Sequence, residues 1–244
     1  MRDTHYVNLQ SVAETWTEGA LILMYHMVEA PPLFHGMRGL YVSPQHLGRQ
    51  LRELQSSANA SFTNLSEWNS TRPDARQVII TFDDAYLSLF KKGLPVLQAT
   101  GLRAINYVVA DRIGQMNQWD HSAKSRDEKL MDRSQINEWL AAGHEIGAHT
   151  LTHPHLERIP LELARREIVD SKKKLEDQFG IPIRHFCYPY GGHNQAVRDL
   201  VEEAGYETGT STIEGFNTKT TDTYLLRRHM ARHEKPWLAA LMRR

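Results

Sequence analysis

Cysteine is almost absent from this chain of 244 residues: Cys187 stands alone. No disulfide can form within it, and a domain of this length buries enough surface to fold without a disulfide or a structural zinc. Surplus charge is absent too. Lys and Arg number 29, as do Asp and Glu, so the net charge at pH 7 is zero. That removes the usual footprint of a nucleic-acid or anionic-membrane partner. There is no long hydrophobic run near the N-terminus. Residues 20–24 form the first apolar stretch, far shorter than the ~20 residues that cross a bilayer. The start, Met1-Arg2-Asp3-Thr4-His5, stays polar through Gly19 and contains no apolar signal core. The expectation is a cytoplasmic protein without an integral membrane segment. Internal repeats and low-complexity segments are missing as well, which leaves a single domain over residues 1–244 with its core at about 20–232.

What is present is an alternation of strand and helix. Apolar runs at 20–25 (ALILMY), 78–82 (VIITF), 104–110 (AINYVVA), 144–148 (HEIGA) and 185–188 (HFCY) read as strands buried on both faces. Segments 206–211 and 224–229 are weaker sixth and seventh strands. Helical patterns lie between them. Ser43-Pro44 starts one that carries Leu47, Leu51 and Leu54 on one face. Another covers 86–99, with Pro95 at its last turn or at a kink. Asp132 and Gln135 make a capping pair for a helix that stops at Gly143. Helices over 161–179 and 194–204 close at Gly180 and Gly205. Residues 112–129 are polar and irregular, a long loop rather than a linker. Seven strands alternating with helices predict an α/β protein whose parallel sheet closes into a barrel or stays open and doubly wound.

Four strings carry chemistry, and each stands at the carboxyl end of an expected strand, the rim where barrels build active sites. Thr81-Phe82-Asp83-Asp84 places two carboxylates where the backbone can turn, so that one could bind a metal and the other accept a proton; a helix cap is the plainer explanation. His149-Thr150-Leu151-Thr152-His153 offers two imidazoles, suited with a carboxylate to a divalent cation, although a chain with 13 histidines makes such pairs by chance. Tyr188-Pro189-Tyr190-Gly191-Gly192 is a rigid turn whose backbone N–H groups could hold a developing oxyanion, or a plain strand-to-helix turn. His26 ends the first strand in the string Met24-Tyr25-His26, placed like the other groups, although a lone histidine there is more often structural.

Together these strings resemble the polysaccharide deacetylase family, the NodB-like carbohydrate esterases of family four, whose hallmarks are TFDD, HTxxH and a YPYG-type turn in that order. The resemblance runs from about Leu21 to Arg232 and is specific as a combination. It implies a distorted (β/α)₇, TIM-barrel-like fold and hydrolysis of the N-acetyl group of an amino sugar in a glycan or glycan precursor. It implies Asp83 as general base, and Asp84, His149 and His153 as ligands of a divalent metal, expected to be zinc. The MYH string resembles a circularly permuted subgroup, which makes His26 the expected general acid, acting as an imidazolium. The oxyanion donor is expected at a backbone N–H near Tyr190, and Trp119, Trp139 and Trp237 are candidates to stack on sugar rings or, more commonly for tryptophan, to serve as packing. Two other readings are a hydrolase of a cyclic amide or formamide and a carbohydrate-binding protein without catalysis.

The chain departs from the family pattern in three places. Ala85 replaces the usual Gly after the aspartates. Cys187 stands where the third motif carries an Arg, with Arg184 three residues earlier. No Asp-Trp pair follows Tyr206. The string Leu226-Arg227-Arg228-His229 is a rival source of the acid.

Overall fold

A computed structural model describes residues 16, 18–31, 38–57, 60–68, 76–119 and 128–231. In chain order its strands are β1 (Ala20–Tyr25), β2 (Met27–Val28), β3 (Tyr41–Val42), β4 (Ser61–Phe62), β5 (Gln77–Asp83), β6 (Ile105–Val108), β7 (Glu145–Ala148), β8 (His185–Cys187), β9 (Thr208–Thr210) and β10 (His229–Met230). The main sheet runs β10-β1-β5-β6-β7-β8-β9, with every neighbouring pair parallel and β4 added beside β5. Residues 226–230 link its two edges. Leu226 donates to Gly209 O and accepts from Ser211 N beside β9, while His229 and Met230 pair with Leu23 and Met24 of β1. The sheet thus curls into the distorted (β/α)₇ barrel that the resemblance implied.

The helices are α1 (Pro44–Ser57), α2 (Leu94–Thr100), α3 (Arg133–Ala141), α4 (Leu161–Phe179) and α5 (Gln195–Glu203). Their starts follow from sequence. Ser43 Oγ accepts from His46 N at the head of α1, whose Leu47, Leu51 and Leu54 are buried. Asp132 and Gln135 form a complete capping box on α3, and the Asn194 side chain caps α5. Two expectations need correction. The helix expected over 86–99 runs from Leu87, but it is not regular: a π turn covers Leu89–Gly93, and Pro95 follows that turn at the start of α2 rather than in the last turn. The wider π turn accommodates a proline that would clash in an unbroken α-helix. The seventh strand is His229–Met230 rather than 224–229, because the chain first borders β9 at Leu226 and then crosses to β1. Residues 120–127 of the long loop and Trp237 lie outside the described residues. Among the described residues no helix is long and apolar enough to cross a membrane.

Strand alternation sorts the side chains. Leu21, Leu23 and Tyr25 of β1 and Val78, Ile80 and Phe82 of β5 pack in the large core shared with the helices. Ala20, Ile22 and Ile79 join Ile105, Tyr107 and Cys187 in a smaller cluster. The β5 row Ile79, Thr81, Asp83 therefore leads from that inner cluster to a carboxylate at the strand end.

Candidate active site

A cleft of about 440 Å³ opens at the carboxyl ends of the strands, and His26, Asp83, Asp84, His149, His153 and Tyr190 all line it. All six residues singled out by sequence therefore meet in one cavity. Asp83 and Asp84 share it because the backbone turns at the strand end: Asp84 (φ 73°) and Ala85 (φ 58°) both take left-handed conformations. Glycine fits such a position without strain, which is the physical sense of the family residue that Ala85 replaces. Here the Ala85 side chain is buried in the large core.

His149 follows β7 directly, and His153 comes after a tight turn in which Thr150 (φ 65°) and His153 (φ 68°) are left-handed. Thr150 Oγ1 accepts from His153 N at 2.9 Å. The Glu167 carboxylate of α4 accepts from Leu151 N at 2.8 Å, Thr152 N at 2.9 Å and Thr152 Oγ1 at 2.7 Å. The turn brings His149 Nε2 to 3.4 Å and His153 Nε2 to 3.3 Å from Asp84 Oδ1. All three side chains are buried, and Asp84 Oδ1 makes no hydrogen bond among the described residues.

These residues fit a divalent cation. Ligands at ~2.0–2.1 Å in a tetrahedral shell stand ~3.3–3.4 Å apart, which matches both Asp84–His separations. His149 Nδ1 lies 2.7 Å from Cys187 O, a carbonyl that can only accept, so Nδ1 carries a proton and Nε2 is the nitrogen turned to the site. Burial opposes ionisation of Asp84, but His153 and His149 outweigh it and hold its pKa well below the ordinary value. A second potential group, Asp83, His149 and Cys187, is equally close-set. It is unsuited to a cation because a guanidinium already occupies both oxygens of Asp83.

That guanidinium belongs to Arg228, the functional residue that sequence reasoning missed. Its Nη1 donates to Asp83 Oδ1 at 2.7 Å and its Nη2 to Asp83 Oδ2 at 2.8 Å. It also donates to Ser211 O at 2.8 Å, Thr81 Oγ1 at 3.1 Å and Cys187 Sγ at 3.1 Å, and it is fully buried. Burial pushes the Asp83 pKa up, but Arg228, with His26 and His149, more than offsets this and the net direction is down. The small Cys187 side chain admits the arginine from the residue that precedes β10, where the family pattern supplies one from the β8 turn. Arg184 instead turns outward to Glu207, 3.5 Å away.

His26 Nε2 lies 3.9 Å from Asp83 Oδ2. Burial lowers its pKa, opposed by Asp83 and Asp84. His229, the rival acid, does not line the cleft. It alternates with Arg228 and Met230 along the strand, so Met230 faces the cleft while the His229 ring lies 5.3 Å from Phe216. Tyr190 is left-handed (φ 59°) in the turn that follows β8, and its ring lies against both His153 and His155. Of the tryptophans, Trp119 lines the cleft, whereas Trp139 is buried in the large core.

Comparison with known proteins points one way. The family model described as "Polysaccharide deacetylase" matches residues 70–209, more than half of the chain. The chain is similar to YxkH of Bacillus subtilis (strain 168), which bears the polysaccharide deacetylase name, at 25% identity over 211 residues; these are 85% of this chain and 69% of that protein. It is 23% identical over 226 residues to the poly-beta-1,6-N-acetyl-D-glucosamine N-deacetylase of Staphylococcus aureus (strain MSSA476), covering 86% of this chain and 77% of that one. Among solved structures, IcaB from Ammonifex degensii superposes with a TM-score of 0.76 at 21% identity, over 92% of this chain and 95% of that one, which shows a shared fold.

Proposed function

Because this chain belongs to the polysaccharide deacetylase family, enzymes that hydrolyse carbon–nitrogen bonds, we propose that it removes N-acetyl groups from amino sugars in a polysaccharide, releasing acetate and a free amine. The observation that carries this reading is the convergence of Asp84, His149 and His153 beside a second carboxylate, Asp83, in one cleft. A site that only bound sugar would need no arginine-held base next to a ligand set.

When bound by Asp84, His149 and His153, a divalent cation, expected to be zinc, would supply a Lewis acid for the acetamide oxygen and a more acidic water. Asp83 is the general base. Its lowered pKa keeps it ionised at neutral pH, and Arg228 aims it into the cleft. It takes the proton of the attacking water at Oδ2, the oxygen nearer His26. The backbone N–H of Tyr190 donates to the developing oxyanion. An amide nitrogen leaves only when protonated, and His26 is the donor. Asp83, 3.9 Å away, can pass His26 the proton taken from water, which His26 then delivers to the leaving nitrogen.

The test is acetate release by the purified, zinc-supplemented protein from N-acetylglucosamine oligomers, free N-acetylglucosamine, nucleotide-linked sugar and formamide. Release from the oligomers is expected, falling by about 10²–10⁴-fold in Asp83→Asn. Turnover of formamide alone would assign the barrel to another amide, and binding of oligomers without any release would make it a carbohydrate-binding protein.

A further inference from the structure

The two imidazoles of the ligand set are oriented by different means. His149 is held through Nδ1 on the carbonyl of Cys187. His153 is as deeply buried, yet its Nδ1 has no hydrogen-bond partner among the described residues. Aromatic rings surround it instead. The Trp119 indole stacks on the His153 ring with centroids 4.5 Å apart and planes inclined by 24°. Tyr190 meets it edge-on at 4.6 Å and 72°, and His155 backs Tyr190, stacked at 3.9 Å and 13°.

Trp119 is delivered to this place by a built loop. Met116 bridges to Lys129 and Tyr86 to Leu130. Between them Asn117 is buried, accepting from Glu128 N at 2.5 Å and donating to Tyr86 Oη at 3.3 Å. Two residues after that anchor the chain presents the indole to the ligand ring.

We propose that Trp119 is a positioning residue for the metal: its indole face fixes the His153 imidazole with Nε2 toward Asp84, the service that the Cys187 carbonyl performs for His149. An imidazole without a hydrogen bond at its outer nitrogen is free to rotate about its side-chain torsions, and each rotation carries Nε2 away from the cation. A planar partner in face contact removes that freedom. Loss of such outer support weakens metal binding by about 10–100-fold where it has been a hydrogen bond, and a stacking contact belongs at the lower end of that range.

The inference rests on the reading of Asp84, His149 and His153 as a metal site, and the experiment separates the two. Zinc affinity is measured by chelator competition on the full chain, for the unaltered protein and for Asp84→Ala, Trp119→Leu and Trp119→Phe. Leu keeps apolar bulk without a ring, and Phe keeps the stack. The expected result is one zinc per chain, lost in Asp84→Ala, bound about tenfold more weakly by Trp119→Leu, and restored to within about threefold by Trp119→Phe. Equal affinity of the Leu and Phe variants overturns the role of Trp119 while leaving the metal site standing. Failure of the unaltered protein to take up zinc overturns the metal reading, and this inference with it.

Discussion

A carboxylate buried without a partner keeps its proton, because burial penalises the charged form. Asp83 escapes that fate through a fork of two charge-assisted hydrogen bonds from Arg228, itself fully enclosed. Burial disfavours the charge of Arg228 as well, but Asp83 and Cys187 outweigh it and the pKa moves up. Removing the arginine should therefore raise the Asp83 pKa and protonate the base at pH values where it now works. For Arg228→Met we expect kcat/KM at pH 7 to fall by at least ~10², with the acid limb of its pH profile shifted upward and activity partly regained at higher pH. A profile that loses height but keeps its acid limb in place would show that Arg228 does not tune the base. The two aspartates and two histidines were legible as motif letters because ligation and base chemistry demand those residue types near those spacings. Arg228 was not. The missing arginine at Cys187 was visible as a gap, but which distant basic residue fills it depends on β10 lying across the barrel closure from β8, a relation that no local pattern carries.

At the level of turns, three of the strands that deliver site residues end in backbone that L-amino acids seldom adopt: Asp84 and Ala85 after β5, Thr150 and His153 after β7, Tyr190 after β8. Left-handed non-glycine residues cost of order 1–3 kcal/mol each and persist where surrounding contacts over-determine them. Thr150 is β-branched, which makes its conformation the most demanding of the five. Its turn is held by Glu167, whose carboxylate takes three hydrogen bonds from the 151–152 segment. Glu167→Ala should lower stability by about 1–2 kcal/mol, read as a lower urea midpoint at unchanged slope, since water can reach only part of what the carboxylate held. A midpoint equal to that of the unaltered protein would mean that the turn stands without α4. The apolar runs made the strands readable, and capping residues marked α1, α3 and α5. Turns were expected after Asp83 and over 188–192, but their left-handed residues left no trace, because Asp, Ala, Thr, His and Tyr do not announce a positive φ as glycine does.

Over the whole molecule, chemistry gathers at one end of the barrel, and a different set of titrating groups sits near the other. His144 precedes β7 and His185 opens β8, at the amino ends of their strands. His185 is hydrogen-bonded to Ser66 Oγ and Thr208 Oγ1, each at 2.9 Å, and His144 Nδ1 accepts from Ala104 N at 3.2 Å. Burial, seconded by Arg184 and Lys172, lowers the His185 pKa to about 3; burial, seconded by Arg103, lowers that of His144 to about 4. Both fall below the ordinary ~6.5 of an unfolded histidine. Between those limits the unfolded chain binds protons that the folded one refuses, so stability rises with pH there. The contribution is whole above pH ~6.5 and is withdrawn as pH falls toward 4 for His144 and 3 for His185, at about 1.4 kcal/mol per pH unit for each group. Other carboxylates and histidines also titrate in this range, so the discriminating quantity is a slope difference between proteins. In His144→Gln/His185→Gln, lost packing should lower the thermal midpoint at pH 7, but the midpoint should then decline less steeply from pH 6.5 to 5 than in the unaltered protein. Parallel declines would mean that these two rings take up protons in the folded barrel as readily as in the unfolded chain, and that its acid sensitivity originates in other groups.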